Sequence, residues 1–510
     1  MKNKFRISVF SDRGKRLFFG GNYWFLIPFC LFAGWFGRWT ENSVAGEIGV
    51  DGNHAGTELT ILCSSDLHGN IFGESPEDAN MLKMASVIRK VRQREAREGR
   101  DILLLDCGDL ISGSFEASLN PPDRIADFLN QMQYDAIVPG NHDLERGMTE
   151  YRQFCRKYHQ GHVLAANLQS PSGEYWQSGW KMIQKNQYRI AVIGCTSPYL
   201  DQWLSVGQME SWKAEALIPA LERLMPEIMA ENPDLILLML HHGEFVPERL
   251  NPDLNGQKDL TLSAVSRRFP QIRLIFGGHS HIAEAGKRLY PLTWFVQAPP
   301  HGEGILQVEL RRNPDKTWQI RSGILPVKQE KNDLQSLKLF ADWQKKMEDG
   351  KQNQLAVLPE KTTLFSLLDH AVKSIDPELD LVLWPKSENR RIGKGTATLF
   401  TLYQQLPYEN RLCTLKLDRS QFSRLIKEQE KMKNKENVLT ASGKKLSLEL
   451  FSPGPDGRIK VAVSSYIAAG GGGRYPLFRI FCRDPLCCFT ESSRTVRDLL
   501  LAYWQKKSVL

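Results

Sequence analysis

The chain has 510 residues, more than one hydrophobic core ordinarily serves, so the sequence is read as two domains behind a short leader. Hydrophobic residues make up 42% and charged residues 24%, a globular balance that excludes wholesale disorder. The net charge of +8 comes partly from a basic start (Lys2, Lys4, Arg6, Arg13, Lys15, Arg16), so it gives no case for binding a nucleic-acid polymer.

In chain order, residues 1–16 form a basic segment expected on the cytoplasmic side. Residues 17–39 form a signal peptide or a membrane anchor: no charge falls between Leu17 and Phe36, and acids (Glu41, Glu47, Asp51) follow soon after. The apolar core is as short as that of a signal peptide, and Ser43-Val44-Ala45 reads as a small-x-small cleavage site. The uncharged run also nearly reaches the roughly 20 residues that span a bilayer. Either way the rest of the chain is expected outside the cytoplasm, periplasmic or otherwise extracytoplasmic, with a membrane contact if the leader stays uncleaved.

Residues 40–57 are polar and Gly-rich, a linker. Over residues 58–330 apolar runs (LTILCS, DILLLDC, DAIVPG, HVLAAN, RIAVIGC, DLILLML, RLIFGG) alternate with helical stretches such as 81–95 and 213–231. That alternation predicts a layered α/β domain of sheets flanked by helices. From 292 to 327 strand follows strand, so this domain closes with a β region. Residues 331–357 are expected to be a connecting helix and linker, and 358–510 a smaller α/β C-terminal domain with a glycine run at Gly470–Gly473. Of nine cysteines, Cys63, Cys107 and Cys195 lie in or beside apolar runs and behave as small hydrophobes. Cys482, Cys487 and Cys488 are close enough in sequence for one disulfide in an oxidising compartment.

The chemistry lies where the apolar runs end. Asp66-Leu67-His68, Gly108-Asp109, Gly140-Asn141-His142-Asp143, His241-His242-Gly243 and Gly277-Gly278-His279-Ser280-His281 each follow a strand-like run. In open α/β sheets ligands bind at the carboxyl ends of strands, so five such clusters can reach one crevice. One DxH or GD is ordinarily a turn or a cap; five together in this order are poorly explained by packing. Two divalent cations about 3.5–4 Å apart clamp the attacking and leaving oxygens of an in-line displacement, and one carboxylate can bridge them. Asp109 is the natural bridge; Asp66, His68 and His281 can complete one site, and Asn141, His241 and His279 the other. Nitrogen and oxygen ligands without thiolate suit two divalent ions among Zn, Mn, Fe and Co. His142 is left over as an acid or electrostatic donor near the leaving oxygen.

In this order the clusters resemble the calcineurin-like metallophosphoesterases. The two-domain layout resembles, more narrowly, the family of 5′-nucleotidases, UDP-sugar hydrolases and 2′,3′-cyclic-nucleotide phosphodiesterases. Ala166-Asn167-Leu168 sits where that family has a strand-end asparagine. Leu406-Pro407-Tyr408-Glu409-Asn410 and the segment from Ser465 to Gly471 resemble its nucleotide-binding C-terminal domain. The resemblance implies a four-layered catalytic domain and a substrate domain that supplies an aromatic clamp and arginines. There are three departures. Glu145 stands where the family has an aspartate beside its histidine, so His142 is expected to be held by Glu145 or Asp143. The substrate loop is replaced by Pro385 to Arg391, with Arg390 or Arg391 in place of its arginine. Gly470–Gly473 is followed by Arg474-Tyr475, and Tyr475 is either a base-stacking residue or a half-buried loop tyrosine.

The expected function is that of an exported hydrolase cleaving phosphoester or pyrophosphate bonds of nucleotides or related small phosphorylated metabolites. The expected substrate contacts are Asn167, Arg390, Arg391 and Tyr475. A thiosulfohydrolase on the same scaffold and a catalytically silent surface nucleotide-binding protein are the alternatives.

Overall fold

The computed structural model describes residues 56–176, 178–244, 262–289, 292–358, 363–388, 392 and 395–507. The expected leader (residues 1–16 and 17–39), most of the linker, and Arg390 and Arg391 lie outside the described residues. Among the described residues no helix is long and apolar enough to cross a membrane.

The strand Leu59–Ser64 is buried at every position, as are Ile102–Asp106 and Leu235–Leu240. Strands covered on both faces read as unbroken apolar runs, which is why these segments show no alternation in sequence. The alternation is instead in what each residue touches. Ile61, Cys63, Leu103 and Leu105 face an inner core shared with Leu235, Leu237, Met239, Leu274 and Phe276. Their neighbours Leu62, Ile102 and Leu104 face a helical layer. Ile236, Leu238 and Leu240 face another helical layer on the far side. A period of two on strands buried from both sides therefore gives helix, sheet, sheet, helix.

The first sheet runs in the order Trp318–Pro326, Gly304–Arg312, Leu59–Ser64, Ile102–Asp106, Ala136–Ile137, His162–Val163. Its last four strands are parallel. The second runs Glu284–Arg288, Trp294–Gln297, Ile272–Gly277, Leu235–Leu240, Tyr188–Cys195, Trp180–Lys185, with a parallel centre. The β region expected from 292 to 327 is present, and Gly304–Arg312 inserts antiparallel beside Leu59–Ser64. The expected helix at 81–95 is Met81–Arg97. Asn80 caps its first turn by accepting the Lys83 N–H at 2.8 Å, and Arg94 and Arg97 lie in its last turn.

Two elements differ from expectation. The run DAIVPG contributes only Ala136–Ile137 to the sheet, because Gly140 leaves it at once to approach Asp109. The connecting helix is broken into Leu334–Leu339 and Ala341–Gln352: Phe340 leaves helical geometry while its ring inserts, fully buried, against Phe128 and Trp343.

The C-terminal sheet has the order Lys444–Lys445, Leu439–Ala441, Leu381–Pro385, Ile459–Ser464, Arg411–Leu417, Thr490–Thr495. Val382 and Trp384 face the helices Leu364–Ile375 and Val496–Lys507, while Leu383 faces Arg419–Lys431 and Pro476–Arg483. Residues 45–510 form one compact unit. Its two halves meet along a seam that includes Phe115, Met347 and Tyr403. Cys482, Cys487 and Cys488 are free thiols, so the disulfide expected among them is absent.

Candidate metal centre

The parallel strands of both sheets discharge their loops into one cleft, and the loops lock onto each other through backbone. Asp66 N–H donates to Gly108 O at 2.8 Å, and His68 N–H to Asp109 O at 2.8 Å. Asp66, His68, Asp109, His279 and His281 all have φ between +51° and +70°. Left-handed backbone is costly for most residues but tolerated by Asp, Asn and His, and it clusters where function over-determines it. Here it turns successive ligands back toward one point.

All seven expected ligands meet there. Asp66, His68, Asp109 and His281 form one group and Asp109, His241 and His279 a second; within each, the candidate ligand atoms lie within 4.8 Å of one another. The Asn141 Oδ1 atom is 3.3 Å from His241 Nε2, which adds it to the second group. Asp109 belongs to both. Its Oδ1 accepts the His142 N–H at 2.7 Å, and its Oδ2 lies 3.1 Å from His241 Nε2 and 4.0 Å from His68 Nε2.

The tautomers suit cations. His68 Nδ1–H donates to Ser112 O at 2.9 Å and His241 Nδ1–H to Cys107 O at 2.7 Å, so each presents Nε2 inward. His68 Nε2 then faces His281 Nε2 at 2.9 Å, an arrangement of two convergent imidazole nitrogens that a shared cation satisfies. Burial holds His68 well below the usual histidine range, and burial with neighbouring His241 brings His279 down to about 3, so both are neutral ligands. Burial pushes the Asp109 carboxyl up, but His241, His142 and His68 outweigh it and hold it well below the carboxylate range. The donor set fits two divalent ions sharing one carboxylate.

His142 Nδ1 lies 2.8 Å from Glu145 Oε1. Burial would lower its pKa, but Glu145 and Asp109 raise it to about 9. Asp143, the other expected partner, is spent elsewhere: its carboxylate accepts the backbone N–H groups of Asp109, Leu110, Ile111 and Gly140 at 2.7–2.9 Å. It ties two ligand loops together and leaves His142 to Glu145.

The structure does not bring the other described substrate candidates to the cleft. Asn167 is fully buried, with its amide bonded to Thr196 and Glu215 backbone. Tyr475 is only 1% exposed in the C-terminal core, and its hydroxyl donates to Asn437 O at 2.8 Å. It is neither the base-stacking nor the half-buried residue expected. In their place Tyr408 stacks on His142 at 5.4 Å, and Trp203 packs edge-on against His279 at 4.8 Å. His301, also left-handed, lies 5.2 Å from His68 and 5.3 Å from His281, ring to ring. The strand-exit pattern could have found it, since His301-Gly302 closes the loop after Trp294–Gln297. His242 is buried with both ring nitrogens unpartnered.

Residues 59–283 match the calcineurin-like phosphoesterase family model. That match covers the part of the chain that carries the metal centre. Among curated relatives, Protein UshA of Escherichia coli is 26% identical over 327 residues, 59% of this chain and 56% of UshA. The 5′-nucleotidase of Vibrio parahaemolyticus is 27% identical over 232 residues, 44% of this chain and 40% of that protein. The chain thus spans about half the length of the curated relatives it matches. A Staphylococcus aureus crystal structure assigned as a 5′-nucleotidase superposes with a TM-score of 0.70 at 18% identity, covering 87% of this chain and 96% of that one. The likeness in fold therefore extends through the C-terminal half.

Proposed function

We propose that the chain is an exported, metal-dependent phosphoric ester hydrolase that acts on nucleotides or related phosphorylated metabolites. On this reading residues 58–330 are the catalytic domain, 331–357 the connector and 358–510 the substrate domain. The observation that carries it is the shared carboxylate: Asp109 stands between two ligand groups, with His68 and His241 on the same oxygen. Two divalent cations held there would stabilise negative charge on the phosphoryl oxygens and lower the pKa of water enough to make hydroxide available as the nucleophile at neutral pH. The chain's own contribution is positioning and proton supply. Asp66, His68, Asp109, Asn141, His241, His279 and His281 hold the cations. His142, oriented by Glu145, gives its proton to the leaving oxygen, worth about 10²–10⁴ in rate for a poor leaving group.

Export rests on the basic and apolar N-terminal sequence, and the nucleotide substrate on the relatives' names and the fold of the second half. The test is phosphate release by residues 46–510 with Mn, Zn or Co, on AMP, UMP, UDP-glucose, 2′,3′-cyclic AMP and bis-p-nitrophenyl phosphate. Release that needs metal and disappears in Asp109→Ala is expected. Undiminished release by Asp109→Ala would overturn the assignment.

A further inference from the structure

The seam between the two halves is lined with arginines that already have carboxylate partners. Arg411 pairs with Glu491 at 3.4 Å, Arg479 with Asp201, and Arg497 and Arg146 with Glu409. Arg474 differs. Its side chain is exposed, and among the described residues it has no carboxylate ion-pair partner; its guanidinium donates to the Tyr466 hydroxyl, which itself donates to Gly471 O at 2.9 Å.

Arg474 is also held in place. Gly470, Gly471, Gly472 and Gly473 all have φ between +60° and +108°, so the loop before it doubles back in a way that residues with a Cβ rarely allow. Gly472 N–H donates to Gln202 O at 2.8 Å, and a Cβ on Gly472 would meet the Trp203 ring at 2.7 Å. The Trp203 ring lies 6.1 Å from that of Tyr466 and 4.8 Å from that of His279. Two ring contacts therefore connect the tyrosine that Arg474 touches to a residue of the metal centre.

We infer that Arg474, on its Tyr466 platform, receives a second phosphate carried by the leaving group, so that the enzyme prefers substrates with one phosphate at the metals and another remote from them. A guanidinium presents paired N–H donors that match phosphate oxygens, and its planar face suits an aromatic support. A neutral ribose or base gives such a group nothing to neutralise.

This rests on the phosphoesterase reading, and the test separates the two. KM and kcat are measured for p-nitrophenyl phosphate, AMP and adenosine 3′,5′-bisphosphate, with wild type, Arg474→Ala and Arg474→Lys. The expected KM for the bisphosphate is about tenfold below that for AMP in wild type. Arg474→Ala raises the bisphosphate KM about tenfold and leaves the other two substrates unchanged within about twofold, while Arg474→Lys restores part of the difference. Equal KM values in wild type, or equal losses on AMP and bisphosphate, overturn the proposal while turnover of p-nitrophenyl phosphate leaves the hydrolase standing. If wild type with bound metal cleaves none of the three, monoester hydrolysis is excluded. Calorimetric binding of the bisphosphate then decides: affinity lost in Arg474→Ala supports the anion site, and unchanged affinity overturns it.

Discussion

The two oxygens of Asp109 have separate employments: one fixes the backbone of the loop that carries His142, and the other serves both ligand groups. Asp109→Asn keeps a side chain that tolerates left-handed backbone, so it should leave the circular dichroism spectrum intact while metal content and turnover fall. Full metal occupancy in that variant, by atomic emission, would remove Asp109 from the bridge. Glu145→Gln tests the dyad. Rates with an alkyl leaving group should drop about 10²-fold or more, while p-nitrophenolate, which departs without a proton, is little affected; an equal drop on both would mean that Glu145 only shapes the loop. In the C-terminal half, burial raises Glu428 to about 7 from 4.5, although the Leu477 N–H opposes it. The folded state then binds the extra proton between those values, so stability falls as pH rises across that window. Glu428→Gln should be silent at pH 3.5 and raise Tm at pH 8 in a calorimetric scan. The same shift at both pH values would refute a titrating origin.

Among the elements, the strand exits were the legible part. Each ligand cluster was visible in sequence because a buried parallel strand is a continuous apolar run, so the Asp, Asn or His that ends it stands out. What sequence concealed depends on partners distant along the chain. The burial of Asn167 is set by bonds to Thr196 and Glu215, and that of Tyr475 by Asn437. The break at Phe340 follows from a pocket made by Phe128 and Trp343, which no helical period encodes. His301 follows a strand of only four residues, a run too short to stand out in sequence as the others do. Glycine at a strand exit is testable as an element feature. A Cβ on Gly140 would overlap the Asp109 carboxylate, so Gly140→Ala should displace the bridge and cost metal affinity at pH 7. Wild-type affinity by competition titration would show that the loop yields without effect.

At the scale of the whole molecule, the seam joins the C-terminal half to the loops of the centre. Glu491 accepts from Ser205 at 2.7 Å and from Gly207 N–H at 3.1 Å while pairing with Arg411, and Arg411 donates to Arg146 O. Glu491→Ala takes the acceptor from the part-buried Gly207 N–H and the carboxylate from Arg411, while Ser205 keeps Gln208 and Arg411 keeps Arg146 O, a loss of about 1 kcal/mol. Amide exchange at residues 200–209 and 411–417 should quicken, and KM should rise for nucleotides more than for p-nitrophenyl phosphate. Unchanged exchange would mean that the other seam contacts suffice. The ligands themselves are strewn from Asp66 to His281, so the two pockets cannot be complete until the last of these strands is in place. A cation is therefore captured late, by a nearly finished domain, from whatever pool surrounds it at that moment. Nitrogen and oxygen donors of this kind bind several first-row ions, and availability decides among them. Which metal the protein carries is thus a record of where it folded.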